Sequence, residues 1–224
     1  MAPMDSNHSH KPDLAAPIAL TMGDPAGIGL ELTAMAWLGR QAHRIRPFAF
    51  YGCARALATR VEALGLALPL RVVSEPSDAI GLFDTALPVI DVPLAASARP
   101  GVADAINGAA VITAIERAVG DTVAGRACAV VTNPIAKSVL YQAGFTHPGH
   151  TEFLAELAGR LVPGGPYLPI MMIASEALRV VPLTIHIPLA LVPRSISKEA
   201  IIACARIMSD ALRRDFAIAN PRIA

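Results

Sequence analysis

Cysteine is scarce in this chain of 224 residues. Cys53, Cys128 and Cys204 stand far apart, with neither the pairing of a disulfide framework nor the short spacing of a zinc site. A disulfide-stapled secreted scaffold is therefore excluded, and buried thiols in a reducing cytoplasm fit better. Charge is scarce as well: 17% of residues are charged, and 19 basic side chains offset 18 acidic ones for a net +1. No basic face for DNA or RNA emerges, so nucleic acid is not an expected partner. Long apolar runs are also missing. The most apolar stretch, Val180 to Pro193, is broken by Pro182, Pro188 and His186 and is too short to span a bilayer. The segment Met1 to Pro12 is polar, carries His8 and His10, and lacks the apolar centre of a signal peptide. It reads as part of a disordered tail over residues 1–16. There is no internal repeat and no low-complexity linker.

What is present is an alternation of strand and helix patterns. Pro17 to Met22 is a short apolar strand run, followed by a glycine loop and an apolar-periodic stretch from Leu30 to Leu38. Pro47 to Gly52 and Leu70 to Ser74 read as further strands, separated by a helix through Ala54 to Leu64. Leu87 to Val92 carries Pro88 and is followed by Pro93, which predicts an edge strand. Asn107 is a suitable N-cap for a helix to about Val119. Ala127 to Thr132 reads as a buried strand stopped by Asn133-Pro134. Tyr167 to Ala174 and Leu178 to Ile187 read as two strands, a hairpin about Ser175-Glu176, and Ser197 as the cap of a last amphipathic helix. The alternation implies an α/β fold with a largely parallel sheet and an antiparallel excursion.

Polar chemistry gathers in three loops. Gly23-Asp24-Pro25-Ala26-Gly27-Ile28-Gly29 has neither the glycine spacing of a dinucleotide fingerprint nor the Gly-Lys-Ser/Thr of a P-loop. It is a tight strand-to-helix turn, and Asp24 is the residue that would make it a site. Thr132-Asn133-Pro134-Ile135-Ala136-Lys137 repeats the layout. Lys137 stands in the first turn of its helix, unfavourable for a cation, so it is either a solvated surface residue or a partner for an anionic substrate. Gly144 to Glu156 holds His147, His150, Thr151 and Glu152 in a glycine and proline loop that feeds a helix start near Thr151. Free N–H groups and a positive dipole end there suit an anion such as phosphate. His147, His150 and His186 could serve a three-histidine metal site or be ordinary core and surface residues. His186 is the best single ligand candidate, because it interrupts an apolar run where a buried imidazole needs a partner.

These segments together resemble the 4-hydroxythreonine-4-phosphate dehydrogenase family of vitamin B6 biosynthesis. The resemblance runs through Thr21 to Gly29, Thr132 to Lys137, Gly149-His150-Thr151-Glu152-Phe153, Met171-Met172 and Thr184 to Leu189. It implies an oxidoreductase fold of α/β/α layers similar to isocitrate and isopropylmalate dehydrogenases, with two lobes and a cleft, over residues 17–224. It implies NAD or NADP as cofactor, a divalent metal (zinc, magnesium or cobalt), a phosphorylated hydroxy amino acid as substrate, and a cytoplasmic homodimer with shared active sites. His150 and Thr151 match the family's substrate-binding pair, and His186 matches the first of its three metal-binding histidines. Lys137 and Asp24 are candidates for catalytic support, while no residue is assigned to the cofactor. The family motifs Asn-Pro-His-Ala-Gly-Glu and Tyr-His-Asp-Gln-Gly would follow Ala224, so the chain reads as the N-terminal part of the pattern. The resemblance also leaves room for a dehydrogenase of a four-carbon sugar-acid phosphate or an aromatic cis-diol, and for an inactive fragment.

Overall fold

The computed structural model describes residues 15–147, 149–164 and 167–224. All but the last two residues of the expected tail, including His8 and His10, lie outside them, as does Pro148 of the histidine loop. The chain divides into two compact units, the first ending at Tyr167 and the second running Leu168–Ala224.

The first unit follows the alternation read from the sequence. In chain order it contains β1 (Ile18–Thr21), α1 (Gly29–Leu38), β2 (Phe48–Gly52), α2 (Ala54–Ala63), β3 (Leu70–Val72), the short α3 (Ala79–Leu82), β4 (Leu87–Asp91), α4 (Gly108–Val123), β5 (Ala129–Thr132), α5 (Lys137–Gln142) and α6 (His150–Leu161). The five strands form one parallel sheet in the order β3-β4-β2-β1-β5. Parallel strands need crossover connections, and helices supply them here.

Both faces of the central strands are buried. Leu20, Phe48, Phe50 and Val89 join Leu30, Trp37, Leu57 and Val61 of α1 and α2 in the larger apolar cluster. Ala19, Ala49 and Ile90, on alternate positions, belong to a second cluster with Ala114 and Ala118 of α4. Small residues on both partners let that helix lie close against the sheet. Period-two burial on both sides is why β2 reads as a continuous apolar run rather than an alternating one.

Two expectations are corrected. β4 is not an edge strand, since it lies between β2 and β3. Pro88 is tolerated because the β2 ladder begins only at Val89, one residue beyond it, while the neighbouring Leu87 N–H donates to Pro69 O on the other side at 2.8 Å. β5, expected as a buried strand, is one of the two edge strands, and Val131 remains 46% exposed on the face it shares with Leu20. An apolar run alone does not distinguish these positions.

The second unit contains a minimal antiparallel pair, β6 (Ile173–Ala174) with β7 (Arg179–Val180), then α7 (Val192–Ser195) and α8 (Lys198–Arg214). The hairpin about Ser175-Glu176 is present, but its strands are two residues long each, not the extended pair expected. Ser197 caps α8 as expected, accepting from the Ala200 N–H at 3.1 Å. Leu212 is the one buried residue among the described residues of this unit. No helix among the described residues is long and apolar enough to cross a membrane.

Candidate functional site

The strand order places a topological switch point at β1. The chain passes from β1 to β2 on one side and later returns to β5 on the other. At such a point the loops leaving adjacent strands diverge, and a crevice forms at their carboxyl ends. Here the two loops are the glycine loop after β1 and Asn133-Pro134-Ile135-Ala136 after β5.

They are stitched together. Asp24 N–H donates to Pro134 O at 2.9 Å. The buried Asn133 amide donates to Thr21 O at 2.9 Å and to Thr33 Oγ1 at 3.0 Å. Glycine is required at two places. Gly23 has a φ of +70° and a Cβ there would stand 2.5 Å from Pro134 O, while a Cβ on Gly29 would strike Met22 O. Asp24 folds the loop on itself by accepting the Ala26 N–H on Oδ1 at 2.9 Å. The same residue lines a narrow crevice with Asp104, Asn107, Gly108 and Ala136. Asn107 precedes α4 as expected, but its side chain does not cap the helix. Its Oδ1 instead accepts the Ala96 N–H at 3.1 Å.

Ala136 leads directly into Lys137, which opens α5. Its ammonium reaches the start of α6: a Cβ built on Gly149 would lie 3.5 Å from Lys137 Nζ and 3.4 Å from Glu152 Oε2. The helix starts at His150, one residue earlier than expected, because Gly149 is fully extended (φ −174°, ψ −168°) and takes the N-cap position without a capping side chain. Burial lowers the pKa of His150, and the charge of Lys137 lowers it further. The imidazole is therefore neutral at neutral pH, and its buried Nε2 has no hydrogen-bond partner among the described residues. Thr151 follows in the first turn, half-buried.

This arrangement is unsatisfied as it stands. A cation at the positive end of a twelve-residue helix is disfavoured, as is an orphaned buried imidazole nitrogen. An anion with hydrogen-bonding oxygens relieves both. Lys137, His150 and Thr151 are thus brought to one place, with Asp24 on the adjoining crevice.

His147 and His186 have different surroundings. His147 pairs with Glu156 at 3.0 Å and stacks with Phe145 and Phe153, each ring centroid 5.1 Å away, so it fastens the loop to α6. His186 lies in the second unit, exposed, in an irregular segment and not in the apolar strand expected there; its φ of 58° is left-handed. No group of three His, Cys, Asp or Glu side chains converges to hold a metal among the described residues. The residue that sequence reasoning passes over is Asn133, legible only as a strand stop; its buried position beneath the glycine loop depends on the strand order.

Comparison with known proteins places the chain. The model of the pyridoxal phosphate biosynthetic protein PdxA family matches residues 44–224. The 4-hydroxythreonine-4-phosphate dehydrogenase of Xanthobacter autotrophicus is 46% identical over 209 residues, 93% of this chain and 59% of that protein. That of Bradyrhizobium diazoefficiens is 44% identical over 98% of this chain and 64% of its own length. Solved structures named as this dehydrogenase superpose with TM-scores of 0.75 (Klebsiella pneumoniae, 31% identity) and 0.81 (Burkholderia phymatum, 28%), each over 92% of this chain and 61% of theirs. A terephthalate 1,2-cis-dihydrodiol dehydrogenase from Burkholderia xenovorans superposes at 0.60 with 26% identity, over 92% of this chain and 59% of its own. The chain spans about three-fifths of the length of these relatives.

Proposed function

The chain belongs to the PdxA family, and on that premise we propose that it carries the substrate-phosphate end of a 4-hydroxythreonine-4-phosphate dehydrogenase. The reaction is oxidation of 4-phosphooxy-L-threonine to 2-amino-3-oxo-4-phosphooxybutanoate, which decarboxylates to 3-amino-2-oxopropyl phosphate on the way to pyridoxal 5′-phosphate. The observation that carries this reading is the Lys137 ammonium beside the N-terminus of α6, next to the unpartnered Nε2 of His150.

In this reading the phosphate sits against the first turn of α6, where backbone N–H groups and the helix dipole face it. Lys137 neutralises its charge and Thr151 offers a hydroxyl. Neutral His150 accepts a proton from the substrate or becomes charged against the anion. Binding energy from this remote group holds the secondary hydroxyl in register for oxidation. Asp24, at the adjoining crevice, gives polar support. NAD or NADP, when bound, would supply the hydride acceptor, and no residue of this chain is assigned to hold it. The divalent ion implied by the family (zinc, magnesium or cobalt) finds one matching residue in this chain, His186. No metal-binding group of three such side chains forms among the described residues, so no step is assigned through it. We place the protein in the cytoplasm as a homodimer with shared active sites, without nucleic acid or membrane partners.

A second reading follows from the superposition with the terephthalate cis-dihydrodiol dehydrogenase: oxidation of an aromatic cis-diol, which has no phosphate. The lower TM-score and the Lys137–His150 arrangement favour the phosphorylated substrate. Two measurements test the proposal. NADH formation from 4-phosphooxy-L-threonine with added Zn²⁺, Mg²⁺ or Co²⁺ reports the reaction. Calorimetric titration with inorganic phosphate reports the anion site, and absence of binding would reject the phosphorylated substrate in favour of the diol or of an inactive chain.

A further inference from the structure

Arg60 is the one charged side chain fully buried among the described residues, 6% exposed. A buried guanidinium is costly unless all its donors are engaged, so where they point is informative. They point away from its own helix. From α2, Nη1 donates to Gly27 O at 3.1 Å and Nη2 to Pro25 O at 3.1 Å, and Nη1 also pairs with Glu31 Oε1 in the first turn of α1. One side chain thus takes two carbonyls of the glycine loop and the first acidic residue after it. The loop's opposite side is held by Asn133 and Pro134. Beyond Arg60 lies a cavity of about 230 Å³, lined by Pro25, Cys53, Thr59, Arg60, Leu94 and Ser97 among others, so the guanidinium rather than close packing supports this flank.

We propose that Arg60 and Glu31 are a positioning pair that sets the conformation of the 23–29 loop and, through it, the placement of Asp24 and of the Asn133–Lys137 segment. The role assigned to the pair is to hold the loop, not to contact substrate. Its effect on ligand passes along a continuous path: the loop meets Pro134 through Asp24 N–H, and the segment after Pro134 ends in Lys137 beside His150. A pair of this kind, with Arg60 buried and Glu31 a quarter exposed, contributes little net stability over apolar side chains of similar size. What it contributes is a single loop geometry, because the planar fork fits two carbonyls and a carboxylate at once. The link to ligand affinity rests on the proposed phosphate site; the link to loop geometry does not.

The test is the double variant Arg60→Met with Glu31→Gln, which removes both charges and leaves no unpaired buried carboxylate. Hydrogen–deuterium exchange of the amides of residues 23–29 should accelerate at least tenfold, with α4 and β2 protected as in the parent, and inorganic phosphate should bind at least fivefold more weakly. Exchange in 23–29 within twofold of the parent, or protection lost equally throughout the first unit, would overturn the proposal, the second outcome making the pair purely structural. Should the double variant not fold, Arg60→Lys gives the same readouts, since it keeps the charge and loses the fork. If the parent protein binds no phosphate, the functional reading fails, and the exchange measurement still decides the role of Arg60.

Discussion

The side-chain amide of Asn133 donates to the backbone carbonyl of Thr21 at 2.9 Å, joining the carboxyl end of the edge strand β5 to that of the neighbouring β1. A second donation reaches Thr33 Oγ1, which in turn donates to Gly29 O at 2.8 Å. The two strands that define the switch point are thus fixed to each other and to the first turn of α1 by one buried residue.

Removing that residue should be felt in stability. Asn133→Ala strands the Thr21 carbonyl without its side-chain donor in a buried setting, for a cost of about 1–3 kcal/mol. Asn133→Asp should cost more, because a carboxylate would face a carbonyl oxygen. Urea unfolding of the two variants checks both the size and the order. Equal stability to the parent would show that the sheet alone fixes the strand ends.

Glycines in the two classes of position should respond with opposite sign. A methyl group at Gly29 runs into Met22 O and stands 3.0 Å from Asn133 Cβ, so Gly29→Ala should destabilise by about 1–3 kcal/mol through overpacking. Gly120, inside α4, has nothing among the described residues within 4 Å of an added methyl group, and Gly120→Ala should stabilise by about 0.5–1 kcal/mol through lower unfolded-chain entropy. Thermal unfolding of the pair separates close approach from mere flexibility as the reason for glycine in the loop.

How much of this is legible in the sequence varies with how local the cause is. β1, β2, α1, α2 and α8 can be placed within one or two residues of their bounds, because apolar periodicity, Ser197 and the Gly23–Gly29 turn act over a few residues. The place of β4 and β5 in the sheet is not legible, since Pro88 is acceptable wherever the ladder has not yet begun, and that depends on partners distant in sequence. The second unit departs furthest. The apolar run around His186 looks like a strand, yet among its described residues only Leu212 is buried, so the pattern lacks the packing that a strand needs. At the site, the motif residues stand out one by one, but the meeting of Lys137 with Gly149 and His150 is tertiary. His147, which spacing alone leaves open between a metal ligand and an ordinary loop residue, is taken up by Glu156 and two phenylalanine rings.

The depressed pKa of His150 has a defined pH signature. Its folded value lies below the ordinary 6.5, so between the two values the unfolded chain binds more protons than the folded one. The neutral imidazole's contribution to stability is therefore complete above pH 6.5 and is lost as the pH falls through the folded value. Lys137→Met should raise the folded value only part of the way back to 6.5, because burial is the larger cause and Lys137 the smaller. An NMR titration of the imidazole ring checks this. Full restoration on removing Lys137 would make the lysine, not burial, the dominant cause.

The same pair of residues should make anion binding depend on pH in a specific direction. An anion at the start of α6 stabilises the imidazolium form of His150, so binding raises its pKa and takes up a proton. Affinity should therefore increase as the pH falls below 6.5. Sulfate is the cleaner probe, because its own charge does not change in this range as that of phosphate does. At pH 7 Lys137→Met should weaken sulfate or phosphate binding about ten- to a hundredfold, the loss of one charge-assisted contact of about 1.5–3 kcal/mol. His150→Gln should abolish the pH dependence while retaining a measurable affinity, since the helix amides and Lys137 remain. Calorimetry at pH 5.5 and 7.5 on the parent and both variants distinguishes these roles. A parent protein whose affinity is flat with pH would mean that His150 does not meet the anion, and a Lys137→Met variant that binds as tightly as the parent would mean that the lysine is only a solvated surface residue.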